Sequence, residues 1–262
     1  MPADRDGTMA LLSVSTGCFR THDYDAITQW LTMTSADAIE VIIYNDYAYR
    51  MGHVRERFQG IGRRISAVHS PKQIQTFLST PGEEWRGEEL LRNSVELARD
   101  LGSPMVVVHP WDGRRASLDL DAIGATLVQC AEHADDLGIT LSLEALPSRH
   151  DRPSRMLEYL LSFSDTFTYT LDFEYAKIYE MFDELLAFSE RLSNVHLRDF
   201  DGRWLIEGRR SYVRPFLGKV DFEALIGEIK ATGYDGPYVL EAPYLTIGEL
   251  ETVLAQFRQF IR

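Results

Sequence analysis

The sequence of 262 residues predicts an α/β fold of the (β/α)₈ type, a TIM barrel in a single domain. Three observations predict it. Eight short runs of β-branched and apolar residues alternate with longer segments whose apolar residues recur every three or four positions. Several of the short runs, PMVVVH among them, are apolar nearly throughout, as parallel strands buried on both faces must be. The length also suits eight βα units, which typically need about 250 residues, and no linker or shift in composition marks a second domain.

Residues 1–9 are polar, with Pro, Gly and three charges, and read as a flexible tail; the barrel domain is assigned to 10–262. The strands are LLSVS (11–15), AIEVIIY (38–44), RISAVH (64–69), PMVVVH (104–109), ITLSLEA (139–145), TYTLD (168–172), NVHLRD (194–199) and YVLEA (238–242). Helical periodicity is clearest over 83–102, 118–138, 174–192 and 247–261. Gly102 and Gly138 end two of these segments, as a residue in the left-handed conformation does. Strict alternation of strand and helix implies parallel strands joined by right-handed crossovers. An open doubly wound sheet would carry a glycine-rich phosphate turn after its first strand, and LLSVSTGCFRTHD contains no GxGxxG.

A formal charge of −13 repels polyanions and argues against nucleic acid as a partner. Four arginines (Arg198, Arg209, Arg210 and Arg214) nevertheless gather late in the chain, where they can meet an anionic or hydroxylated small molecule. No run of about 18 apolar residues predicts a membrane span, and the opening lacks the basic-then-apolar order of a secretory signal, so the expected location is cytoplasmic. Cys18 and Cys130 are too few for a disulfide framework and form no CxxC pair, which predicts buried, reduced thiols.

The polar residues fall in a pattern. Six successive strand runs end in a residue able to ligate a metal: His69, His109, Glu144, Asp172, His196 and Glu241. In a barrel, the C-terminal strand ends open onto one face, so residues distant in sequence converge there. A lone histidine at a strand end is more often a hydrogen-bonded rim residue than a ligand. A carboxylate inside an apolar strand is harder to explain without a cation or several donors, and Glu144, Asp172 and Glu241 all have that character. Three carboxylates and one imidazole form an oxygen-rich set suited to Mn²⁺ or Mg²⁺; Zn²⁺ or Co²⁺ gains if His69 and His109 join. His53 and His133, in helical patterns, and His22 and His150, in loops, read as structural or solvated. Trp111, Phe19, Tyr44, Phe173 and Trp204 follow or end strands and read as pocket walls, with Phe173 hinting at a narrower or less polar substrate than a ketose.

LSLEALPSR around Glu144, TLDFEYAK around Asp172, NVHLRDFDG around His196 and PFLGKVDFEALIGEIKATGYDGPYVLEAP ending at Glu241 resemble the xylose-isomerase-like barrel superfamily. That group holds sugar isomerases and epimerases, inosose dehydratases and endonuclease IV. The resemblance implies that Glu144, Asp172, His196 and Glu241 bind one divalent metal, and that Glu144 and Glu241 also move protons. It implies an isomerase or epimerase of a sugar, polyol or hydroxyketone working through a metal-stabilised enediolate, with a dehydratase as the alternative on the same scaffold. His69, His109, Trp111, Arg198 and Arg214 are then candidates to bind substrate, or the two histidines a second metal. Members of the group often form dimers or tetramers, which would make this chain a homo-oligomer. Two departures stand out: Tyr175 replaces the histidine of the family's Asp-x-x-His, and Arg198 replaces the lysine of its His-x-Lys-Asp. With the acidic charge, the first disfavours a three-zinc phosphodiesterase; a non-catalytic barrel is the remaining rival.

Overall fold

The apolar runs become strands at nearly the predicted positions. The computed structural model describes residues 10–19, 21–203, 205–206, 209–242 and 246–261. The N-terminal segment 1–9 and Trp204 lie outside the described residues. Strands β1 (Leu12–Ser15), β2 (Ala38–Ile42), β3 (Arg64–His69), β4 (Met105–Val108), β5 (Thr140–Glu144), β6 (Thr168–Asp172), β7 (Leu192–Leu197) and β10 (Tyr238–Leu240) form a closed barrel in the ring order β1-β10-β7-β6-β5-β4-β3-β2. Two short strands after the seventh barrel strand, β8 (Leu205–Ile206) and β9 (Arg209–Arg210), pair antiparallel. Among the described residues no helix is long and apolar enough to cross a membrane.

Helices fill the crossovers: α1 (Tyr24–Leu31), α2 (Met51–Phe58), α3 (Gln73–Leu78), α4 (Glu84–Leu101), α5 (Leu120–Asp136), α6 (Pro153–Leu161), α7 (Phe173–Tyr179), α8 (Phe182–Leu186), α9 (Phe222–Ala231) and α10 (Ile247–Ile261). Their starts obey local chemistry, since the Asp23, Asp119 and Asp221 side chains each accept a backbone N–H of the first turn. Gly102 and Gly138 adopt φ of 67° and 68° after α4 and α5, as the sequence predicts. The continuous helix expected over 174–192 is corrected. Glu180 turns left-handed at φ 48°, and the Met181 N–H closes onto the Ala176 carbonyl at 3.0 Å. The segment therefore splits into α7, α8 and a 3₁₀ turn at Ser189–Arg191.

The outer strand faces and inner helix faces bury one large apolar cluster, with Leu90, Val95, Leu127, Leu157, Ile226 and Phe257 at 0% exposure. Each such side chain contributes about 1.5–3 kcal/mol relative to an exposed position. The lumen is more polar. Ser13 pairs with Ser66 at 2.7 Å and Ser142 with Thr170 at 2.7 Å, so hydroxyls satisfy one another beneath the active face. Register shifts occur between Ile39 and Glu40, opposite β3, and between Tyr169 and Thr170, opposite β7. Such bulges re-aim the side chains that follow them.

Candidate active site

Four of the predicted ligands meet at the C-terminal face. Glu144 ends β5, Asp172 ends β6 and caps α7, His196 lies in β7, and Glu241 follows β10. Glu144, Asp172 and His196 each offer an atom within 4.8 Å of the others. Glu241 joins them, because His196 Nδ1 lies 3.3 Å from Glu241 Oε2 and 3.4 Å from Glu144 Oε1. The structure places His69 and His109 on the other side of Glu144. His109 Nε2 is 2.6 Å and His69 Nε2 3.5 Å from Glu144 Oε2, and these three residues form a second group of potential ligands.

Burial sharpens the electrostatics. Glu40, Glu144, Asp172 and Glu174 are all buried, and Glu241 nearly so, while among the described residues Arg198 is the one arginine buried with them. Such an excess of carboxylate in a low-dielectric site must be offset by protons or cations. Burial holds His109 neutral, down to about 4, so its Nε2–H donates to Glu144. Burial would raise Glu144, but His109, which donates to it, and the neighbouring charge of His196 outweigh burial and hold the carboxylate well below its ordinary value. Burial pushes Asp172 up to about 7, with Arg198 pulling the other way. Burial lowers His196, yet the charges of Glu40 and Glu144 prevail and hold it well above the ordinary imidazole.

This donor set fits a divalent cation. His196 Nδ1 is buried and faces two carboxylates without hydrogen-bond geometry to either, an arrangement that a shared cation would satisfy. Three oxygens and one imidazole nitrogen are the ligands available to it.

Arg198 is clamped rather than free. Its guanidinium lies 3.2 Å from Asp172 Oδ2, 2.5 Å from Glu174 Oε2 and 3.6 Å from Glu241 Oε2, with the Tyr175 ring 5.2 Å from its carbon. It does not pair with Asp199, whose carboxylate instead accepts the N–H groups of Phe200, Gly218 and Val220 at 2.7, 2.8 and 3.1 Å. A Cβ on Gly218 would fall 2.1 Å from Asp199 Oδ1, which is why glycine stands there.

The remaining candidates are less central. Trp111 is fully buried, with its indole N–H bonded to the Pro147 carbonyl at 3.3 Å, and so backs the β4 and β5 loops. Arg214 is half exposed and pairs with Glu249 at the start of α10. Phe173 packs against Phe182 and Phe222 and is fully buried, so it does not narrow a pocket as the sequence suggested. Phe19 stacks near Trp30, and Tyr44 bonds the Thr16 carbonyl. The side chains of Arg209 and Arg210 lie outside the described residues. A cleft of about 580 Å³ leads in past Lys72, Arg149 and Tyr179 to His109 and Tyr175.

Sequence reasoning missed Glu40, Glu174 and Asn194. The signal for Glu40 was present, since AIEVIIY holds a carboxylate inside an apolar strand by the same criterion that singled out Glu144. Glu174 was masked by its place in a helical pattern, and Asn194 by its neutrality.

A profile of the xylose isomerase-like TIM barrel family matches residues 20–262. An uncharacterised protein, MJ1311, of Methanocaldococcus jannaschii is 27% identical over 168 residues, 58% of this chain and 55% of that protein. A ketose 3-epimerase of Arthrobacter globiformis is 26% identical over 172 residues, 60% of this chain and 55% of that enzyme. The matched region thus spans about half the length of these curated relatives. The crystal structure of a D-tagatose 3-epimerase-like protein superposes with a TM-score of 0.76 at 21% identity, over 96% of this chain and 98% of the other, a likeness of fold.

Proposed function

The chain belongs to the xylose isomerase-like TIM barrel family, and on that premise we propose that it is a divalent-metal-dependent isomerase or epimerase of a sugar, polyol or related hydroxyketone. The observation that carries this reading is the approach of two carboxylates, Glu144 and Glu241, to one imidazole nitrogen from strands three steps apart in the ring. The ketose 3-epimerase relative supports it, as a likeness to part of that enzyme.

Glu144, Asp172, His196 and Glu241 would hold the cation, with Mn²⁺ or Mg²⁺ favoured by their oxygen content and Zn²⁺ or Co²⁺ by any participation of His69 and His109. When bound, the cation supplies Lewis acidity, polarising a substrate carbonyl and acidifying the adjacent C–H. One of Glu144 and Glu241 removes that proton and the other returns it. Return to the opposite face of the same carbon inverts it; return to the neighbouring carbon isomerises the substrate. His109, which donates to Glu144, keeps that carboxylate ionised and oriented. His69, His109, Trp111, Arg198 and Arg214 are the residues proposed to bind or support the substrate.

The test is turnover of a panel of ketoses and polyols in deuterated water, with and without added Mn²⁺. Wild-type protein should place deuterium at the carbon alpha to the carbonyl, and Glu144→Gln and Glu241→Gln should abolish exchange while leaving the circular dichroism spectrum unchanged. Undiminished exchange in either variant refutes the assignment. Loss of water from the product reassigns the same site to a dehydratase.

A further inference from the structure

Glu40 stands on the opposite side of the His196 ring from the proposed ligands. It is fully buried in β2, while His196 belongs to β7, and these strands are separated in the ring by β1 and β10. Its side chain therefore crosses the lumen. Glu40 Oε2 lies 3.0 Å from His196 Nε2, while Nδ1 of the same ring faces Glu144 and Glu241.

We infer that Glu40 is a positioning residue, which rests on the metal site proposed above: its carboxylate keeps the His196 hydrogen on Nε2 and so presents the Nδ1 lone pair to the cation. A carboxylate only accepts hydrogen bonds. At 3.0 Å the imidazole nitrogen beside it must carry the hydrogen, because the other tautomer would set a lone pair against an anionic oxygen. An imidazole that binds a metal through one nitrogen is commonly oriented, and made a better donor, by a carboxylate on the other.

Three further observations agree. Asn194 Nδ2 lies 3.4 Å from the same Glu40 oxygen and 3.1 Å from His196 Nε2, so the amide packs against both partners of the contact. Glu40 Oε1 is buried with no hydrogen-bond partner, so the carboxylate is not anchored by a shell of donors as a structural acid would be. Its unfavourable burial is offset through His196 and the charge beyond it. Finally, the register shift opposite Thr170 places the extra residue, Ser193, in β7 and re-aims the side chains that follow it, Asn194 and His196 among them. Glu40 cannot itself reach the cation, since the imidazole ring stands between.

The experiment is Mn²⁺ binding by titration calorimetry to wild-type protein, Glu40→Gln and Glu40→Asp, beside the melting temperature of each metal-free protein. The glutamine removes the charge at constant shape, and the aspartate keeps the charge but withdraws it from Nε2. Both should weaken Mn²⁺ about 10–100-fold, the usual effect of losing such a partner, with the metal-free Glu40→Gln melting no lower than wild type. Equal Mn²⁺ affinity in wild type and Glu40→Gln overturns the inference while leaving the metal site intact. Wild-type protein that binds no Mn²⁺ removes the metal reading and this inference together. Nitrogen-15 imidazole spectra of Mg²⁺-loaded wild type decide independently of either variant's folding: hydrogen on Nε2 supports the assignment, and hydrogen on Nδ1 overturns it.

Discussion

Replacing Asp199 by alanine tests how the loop after β7 is held. The Asp199 carboxylate is buried and accepts three backbone N–H groups, from Phe200, Gly218 and Val220. A hydrogen bond to a charged acceptor contributes about 1.5–3 kcal/mol net, so three set a ceiling of about 9 kcal/mol. The Phe200 and Gly218 donors are only part-buried and recover water after truncation, which brings the expected loss to about 3–5 kcal/mol. Asp199→Asn keeps the oxygen that serves Phe200 and Val220 and turns an amide toward Gly218, for an expected loss of about 1.5–3 kcal/mol. Gly218→Ala should resemble Asp199→Ala, since its Cβ would meet Asp199 Oδ1 at 2.1 Å. Urea unfolding of the metal-free proteins, followed by circular dichroism at constant m, measures all three. An alanine variant within about 1 kcal/mol of wild type, or an asparagine variant as unstable as it, would refute the reasoning.

The other expectations concern the site and its supports. Cation binding should release protons, because burial pushes Asp172 up to about 7 and the Glu40 charge holds His196 above its ordinary value against burial. Both groups must lose a proton to coordinate, so Mn²⁺ affinity should rise with pH through about 7; calorimetry in buffers of different ionisation enthalpy counts the protons, and a count of zero contradicts the scheme. Arg198→Ala leaves Glu174 buried without its cation and should cost about 3–5 kcal/mol of stability, with Arg198→Lys losing less; equal melting temperatures for all three proteins would show the clamp to be inert. Trp111→Phe deletes the bond to the Pro147 carbonyl and leaves a cavity at a fully buried position, and should cost about 2–4 kcal/mol, read by the same unfolding assay.

The barrel and the convergence of Glu144, Asp172, His196 and Glu241 at one face were legible in the sequence because both arise from local rules. Strand runs such as PMVVVH announce burial on two faces, and a carboxylate at the end of such a run has few explanations other than a cation. The helix over 174–192 was misread because periodicity does not register a single left-handed residue, and Glu180 carries no glycine signal. Phe173 looked like a pocket wall from its place beside Asp172, but the direction of a side chain at the start of a helix depends on the helix axis, and α7 turns it toward Phe182 and Phe222. Arg198 was singled out through the family's His-x-Lys-Asp pattern, yet its partners Glu174 and Tyr175 come from a neighbouring helix that the strand pattern cannot see.

The seam of the ring has a consequence for synthesis. β1 pairs with β10 through Leu12–Tyr238, Ser13–Val239 and Val14–Leu240, and the Cys18 thiol donates to the Leu240 carbonyl at 3.1 Å beside Glu241. In a chain that lacks β10 the ring is open beside β7, so Glu144, Asp172 and His196 should face solvent. Only when the final strand pairs with the first is that gap closed, so a chain halted before β10 should bind Mn²⁺ more weakly than the whole protein.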